Sequence, residues 1–371
     1  MAGSSNYTWR HALQLHSTLS PFDSPVPGTH KAFADMKAKP VSWVRKNIAG
    51  MLVTIYGLQE LASDTTQFTC FWLLHGRGDT QDSMGYCAAA MLHAWKSKRQ
   101  PGQRGLICIT FDQRNHGSRL VDDKANVSWK QGNPTHAQDM FNTYSGSAQD
   151  VSHLITHIPS YLPAKPTDHI CGGVSLGGHA TWQVLMAEPR VRAGLVVIGC
   201  PDYIRLMSDR AIRSKLRSCT DTDPPGLRFL GSEDFPQNLI EAVEKYDPAG
   251  ILLGELDVVT GDDHRHPPSD AEKARLRTIM AEKLAGKNIL CVHGGKDRLV
   301  PYAQSEPFFT WLKKALDAKT GWFNDHGTTL EDFIDPAGMH EFSGVMRVEA
   351  ERWLCDLLAR DDEYVVRGSK L

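Results

Sequence analysis

The sequence predicts an α/β fold, a mostly parallel sheet with helices on both faces and a largely helical insertion laid over one edge. Three observations carry that prediction. Apolar, β-branched runs recur as nearly continuous blocks rather than as alternating ones, which is the pattern of strands buried on both faces. Segments with a helical apolar period lie between those runs, so strand and helix alternate. A Gly-x-Ser-x-Gly turn, Gly173-Val174-Ser175-Leu176-Gly177, sits where one such run gives way to one such helix.

The 371 residues suffice for one large domain with an insertion, and 41% hydrophobic with 23% charged residues is a globular balance. The formal net charge is -2, with no long basic run, which argues against a nucleic-acid partner or an electrostatically held membrane. The first residues carry no basic-then-apolar leader, and no stretch is apolar enough for a transmembrane segment. Eight cysteines are scattered, most beside strand-like runs. They read as buried free thiols rather than a disulfide framework or a metal site, which fits a reducing compartment.

Taken in order, residues 1–45 form an irregular arm with prolines at Pro21, Pro25, Pro27 and Pro40 and a short helix expected at 7–15. The core is expected at 46–201 and 288–360. Its strands are read at 51–56, 68–74, 106–111, 170–174, 195–198 and 289–292, with a weaker one at 329–334. Helical stripes run through Ala148, Val151, Leu154, Ile155 and Ile158, through Phe308, Trp311, Leu312, Ala315 and Leu316, and through Trp353, Leu354, Leu357 and Leu358. From 202 to 287 no convincing core strand occurs. Helix-like pieces at 204–215, 238–245 and 271–284 make this interval a cap over the carboxyl edge of the sheet, where such folds bind ligands. Within it Asp262, Asp263, His264 and His266 are flanked by prolines and lack a matching ligand cluster, so they read as a solvated loop, not a metal site. Residues 361–371 read as a flexible polar tail ending in Ser369-Lys370-Leu371, the receptor-read peroxisomal address. The expectation is import from the cytosol into the peroxisome matrix by the receptor that recognises it.

The turn at Ser175 carries the chemistry. A serine on a tight strand-to-helix turn projects its hydroxyl clear of the sheet, and the N–H of the next residue, Leu176, opens the helix and can face a developing oxyanion. His75-Gly76-Arg77-Gly78-Asp79 follows the strong strand at 68–74 and brings further N–H groups near. The N–H of Arg77 is the expected second oxyanion donor, with Gly76 the close alternative, and His75 itself reads as structural. Gly294-Gly295-Lys296-Asp297 follows another strand. Asp297 can accept a histidine Nδ1–H there, with Asp202 as the alternative acid, although Asp202 could equally N-cap the first cap helix. His340, in Gly338-Met339-His340, lies on the loop between the last strand and the closing helix, in the chain order Ser…Asp…His.

These motifs, with Phe111-Asp112-Gln113-Arg114-Asn115-His116-Gly117, resemble the α/β-hydrolase superfamily over about 51–358, with the cap as the variable part. Asn115 stands where the family's turn has glycine, a departure in a structural turn. The resemblance implies an α/β-hydrolase fold with an eight-stranded sheet, Ser175 as nucleophile, His340 as general base then acid, and Asp297 orienting His340. It implies cleavage of a small-molecule carboxylic ester or thioester, of lipase, esterase or acyl-CoA thioesterase type, through an acyl-enzyme without metal or cofactor. Two alternatives share the fold: an acyltransferase using the same triad, and a slow or non-catalytic ligand-binding protein. Arg205, Arg210, Arg213, Lys215 and Arg217 are candidates to meet a CoA-like substrate, against the plainer reading of a solvated helix face.

Overall fold

The computed structural model describes residues 20–23, 38–254 and 267–368. The expected helix at 7–15, the loop carrying Asp262, Asp263, His264 and His266, and the tripeptide Ser369-Lys370-Leu371 lie outside the described residues. Eight strands make one sheet: β1 Trp43–Ile48, β2 Met51–Tyr56, β3 Phe68–Leu74, β4 Gly105–Phe111, β5 Asp168–Val174, β6 Val191–Val197, β7 Asn288–Gly294 and β8 Thr329–Asp335. Their order is β1-β2-β4-β3-β5-β6-β7-β8. β2 pairs antiparallel with β1 and β4, and every other neighbouring pair is parallel. β3, β4 and β5 are buried at every residue, which is why they read as unbroken apolar runs.

The helices are α1 Gly85–Lys98, α2 His136–His157, α3 Leu176–Ala187, α4 Tyr203–Ser214, α5 Arg217–Thr220, α6 Gln237–Tyr246, α7 Pro248–Leu253, α8 Asp270–Leu284, α9 Glu306–Leu316 and α10 Gly344–Gly368. One face of the sheet packs Val151, Leu154 and Ile155 of α2, Trp182 and Leu185 of α3, and Phe308 and Leu312 of α9. The other packs Met91, Leu92 and Trp95 of α1 against Trp353, Leu354 and Leu358 of α10. All eight cysteines are buried and unpaired. Among the described residues no helix is long and apolar enough to cross a membrane.

Three boundaries differ from the sequence reading. β1 begins at Trp43, inside the expected arm, and was missed because Trp43-Val-Arg-Lys-Asn-Ile48 is an edge strand whose side chains stay largely outside the core. It is joined to β2 by the two-residue turn Ala49-Gly50, both at positive φ (52° and 79°), a geometry that suits the twist of a tight hairpin. The interval 202–287 is not all cap. Leu276, Met280 and Leu284 of α8, with Leu252 and Leu253 of α7, join the core cluster of the sheet, while α4 and α6 bury a separate cluster with Trp129, Phe229 and Phe235. A parallel β6-to-β7 step needs a crossover that packs on the sheet, and α8 supplies it. The closing helix continues to Gly368, into the stretch expected to be a free tail, because no glycine or proline interrupts it between Val345 and Arg367.

Four buried histidines make the fold acid-sensitive. Burial, the main cause in each, lowers His136 and His179 to about 3 and His169 and His293 to about 4, from an ordinary 6.5. Below pH 6.5 the unfolded chain therefore takes up protons that the folded chain refuses. The stability tied to these neutral rings is complete above about pH 6.5 and is lost progressively as pH falls toward about 4. Asp247, pushed well up by burial beside Asp202, and Glu351, raised by burial, act in the opposite sense but are two groups against four. The melting temperature should fall steadily from about pH 6.5 to about pH 4 when followed by circular dichroism. A flat profile over that window would contradict the assignment.

Candidate active site

The parallel register brings the carboxyl ends of the inner strands to one edge. Leu74 of β3 pairs with Gly173 of β5, Val174 with Val197 of β6, and Gly294 of β7 with Asp335 of β8. The residues that follow these ends therefore face one another. Ser175, the first of them, has φ 54° and ψ -109°, a conformation that L-residues rarely adopt and that costs about 1–3 kcal/mol. Neighbouring backbone holds it there. The Ser175 N–H donates to the Val197 carbonyl at 2.9 Å, and the Gly177 N–H to the His75 carbonyl at 3.1 Å. A Cβ on Gly177 would stand 2.1 Å from the Leu74 carbonyl oxygen, and one on Gly173 would stand 2.4 Å from Gly177 backbone. Only glycine lets α3 start this close to the ends of β3 and β5.

The Ser175 hydroxyl donates to His340 Nε2 at 2.9 Å. On the far side of the ring, His340 Nδ1–H donates to Asp297 Oδ2 at 2.8 Å. The other carboxylate oxygen of Asp297 accepts the N–H groups of Leu299 at 2.7 Å and Val300 at 3.0 Å. The Asp297 side chain is wholly buried, whereas that of His340 is 16% exposed. A buried carboxylate with three donors is satisfied and fixed in direction, so it sets the tautomer of the ring.

The loops carrying the acid and the histidine are tied together by backbone. Gly295 N–H donates to the Asp335 carbonyl at 2.8 Å and Lys296 N–H to the Gly338 carbonyl at 2.9 Å. Asp335 closes the histidine loop: its carboxylate accepts the Ser343 hydroxyl at 2.6 Å and the Ala337 N–H at 3.0 Å. Those bonds, led by Ser343, hold its carboxyl below the usual range. The sequence reading did not single out Asp335. Its signal is the Asp-Pro-Ala-Gly turn that it opens.

The alternative acid, Asp202, is placed elsewhere. It accepts the Arg205 N–H at 3.0 Å and N-caps α4, so Asp297 and not Asp202 meets His340. His75 is fully buried. Its Nδ1–H donates to the Gly76 carbonyl at 2.8 Å, and its Nε2 accepts the Gln113 N–H at 3.0 Å. Both nitrogens are thus committed to holding the turn before Arg77. Asp112 braces the next turn, accepting from Gln81 N–H at 2.8 Å and Ser118 N–H at 2.9 Å. Arg114 reaches Asp150 at 3.1 Å, and His116 donates Nδ1–H to the Arg114 carbonyl at 2.9 Å. His179 accepts the Cys200 N–H at 2.9 Å and stacks on Tyr144 at 4.8 Å. Among the described residues the N–H groups of Gly76, Arg77 and Leu176 donate to no protein acceptor. No group of three or more metal-ligating side chains occurs among the described residues.

Comparison with known proteins agrees with this architecture. The model of the Alpha/beta hydrolase family matches residues 73–339. A curated relative, the "Putative esterase YitV" of Bacillus subtilis (strain 168), is 23% identical over 141 residues, which is 38% of this chain and 41% of that protein. Among solved structures, TT1662 from Thermus thermophilus is similar over 86% of this chain and 99% of that one, with a TM-score of 0.50 and 16% identity. The Pyrococcus horikoshii acylaminoacyl peptidase covers 89% of this chain and 43% of its own, with a TM-score of 0.50 and 14% identity. With the match running from the end of β3 to the residue before His340, the chain belongs to the alpha/beta hydrolase family.

Proposed function

We propose that this protein is a serine hydrolase that cleaves a carboxylic ester or thioester through an acyl-enzyme. One observation carries the reading: the strained Ser175 hydroxyl donates at 2.9 Å to a histidine that is itself held at 2.8 Å by a buried aspartate. Ser175 Oγ attacks the acyl carbonyl while its proton passes to His340 Nε2. Asp297 stabilises the imidazolium and keeps the ring in place. The N–H of Leu176, at the start of α3, and that of Arg77, with Gly76 as the alternative, stabilise the tetrahedral oxyanion. His340 returns the proton to the leaving alcohol or thiol, which departs, and water repeats the sequence to free the acid and regenerate the serine. The name of the Bacillus relative, an esterase, is in keeping with this chemistry.

The test is a panel of p-nitrophenyl esters of graded chain length beside acyl-CoA thioesters, with Ser175→Ala as control. Wild type should turn over at least one class and the variant none. A folded wild type that turns over neither would overturn the reading. Adding a competing alcohol or amine separates hydrolysis from acyl transfer, because a hydrolase yields free acid as its main product. We propose that Ser369-Lys370-Leu371 addresses the protein to the peroxisome. Deleting those three residues from an N-terminally tagged protein should leave it in the cytosol, and an unchanged peroxisomal signal would refute it.

A further inference from the structure

A cavity of about 120 Å³ opens between the turn after β3 and the first cap helix, lined by Arg77, Lys130, His136, Arg210 and Arg213 together with Trp129. No acidic side chain lines it. Two loops of the proposed active site contribute to its lining, through Arg77 and Leu299. Arg77 follows His75, whose carbonyl holds the Gly177 N–H. Arg210, on α4, donates to the Leu299 carbonyl at 3.1 Å, and the N–H of that same Leu299 donates to Asp297 at 2.7 Å. The cap helix is thus bolted to the loop of the triad acid, and its arginine shares a cavity with the residue proposed as oxyanion donor.

Both guanidinium groups donate to backbone carbonyls. Arg77 donates to the Asn126 carbonyl at 3.3 Å, and among the described residues neither Arg77 nor Arg210 pairs with a carboxylate. Among the described residues Arg210 Nη1 is buried without a hydrogen-bond partner, as is the Tyr144 hydroxyl outside the cavity lining. Both arginine charges act on Tyr144 and on His136, and burial together with those charges pushes His136 down to about 3, so its ring is neutral at neutral pH. Arg213 is already paired with Asp209. Two neighbouring cations with no counter-charge among the described residues repel one another, a cost that an anion between them offsets.

We propose that this cavity holds an anionic oxygen group of the substrate, carboxylate or phosphate, so that the enzyme selects esters or thioesters bearing negative charge close to the scissile carbonyl. The proposal rests on the hydrolase reading for its catalytic consequence but not for binding, and the two are tested apart. In the first arm, wild type is compared on p-nitrophenyl hemiglutarate and on the neutral methyl ester of that compound. The ratio of kcat/KM should favour the anion by about 10–100-fold, as charge-assisted bonds to arginine imply. Arg210→Glu should abolish or invert the ratio, and Arg210→Lys should restore part of it. In the second arm, glutarate and inorganic phosphate are titrated into Ser175→Ala protein, read by the change in intrinsic tryptophan fluorescence that is lost when Trp129, in the cavity wall, is replaced by phenylalanine. A saturable change that Arg210→Glu removes supports the proposal, and whichever probe gives it identifies the anion. Should Arg210→Glu fail to fold, Arg210→Gln takes its place, with the melting temperature as control. Saturable binding without ester turnover upholds the anion site and sinks the hydrolase reading. Turnover with equal preference for both esters and no binding sinks the anion site alone.

Discussion

Replacing Ser175 with alanine should lower kcat on any accepted ester by about 10⁴–10⁶-fold, with the fold intact. The size of the effect follows from what the hydroxyl does in the geometry. It is the one group in the line Ser175–His340–Asp297 that can form a bond to the acyl carbon. What should remain after its loss is binding and the proposed oxyanion donors, the N–H groups of Leu176 and of Arg77 or Gly76, acting on an attack that no longer occurs. Alanine keeps the φ of 54° and the strain with it, so neither stability nor substrate binding should move much. Glycine at the same position should behave differently. It adopts that φ freely, so Ser175→Gly should be as inactive as Ser175→Ala yet melt at a higher temperature. Enzyme held in a strained conformation for its chemistry becomes more stable when the chemistry is given up. Equal activity in wild type and Ser175→Ala would remove Ser175 from the mechanism.

Asp297→Asn should lower kcat by about 10⁴-fold, while Asp202→Asn should leave it close to wild type. In the first variant the Leu299 and Val300 N–H groups still donate to the remaining oxygen, so the side chain keeps its place. Its NH₂ group now faces His340 Nδ1, which must accept. The proton moves to Nε2 and meets Ser175, so the ring no longer takes the hydroxyl proton. Asp202 caps α4 through the Arg205 N–H, and asparagine caps a helix as well as aspartate does. The ranking is read from kcat on one ester at saturating substrate. The reverse ranking would move the acid to the end of β6.

Much of this site was legible because its signals are local. A Gly-x-Ser-x-Gly turn announces its own strain: Gly173 and Gly177 are needed where a Cβ would meet backbone at 2.4 and 2.1 Å. Asp297 and His340 each follow a strand end, and in a parallel sheet strand ends share an edge. The fold was legible for the same reason, since β3, β4 and β5 are buried on both faces and read as unbroken apolar runs. What stayed hidden depends on contacts far apart in sequence. β1 has a polar middle, Arg45-Lys46-Asn47, and its edge position becomes clear only from its pairing with β2. α7 and α8 look like any amphipathic helices until the sheet shows that Leu276, Met280 and Leu284 pack against it rather than in the cap. Arg210 reads as one arginine among several on a charged helix face. Its distinction is the cavity it shares with Arg77, residues more than a hundred positions away.

The most direct test of the account is labelling with a fluorophosphonate probe, followed by peptide mass mapping. The probe reacts only with a serine whose hydroxyl is activated by a neighbouring base. Wild type should carry a single adduct on Ser175 and Ser175→Ala none, and labelling of His340→Ala and Asp297→Asn should be slowed. Absence of label on folded wild type, or undiminished labelling of Ser175→Ala, would contradict Ser175 as the nucleophile.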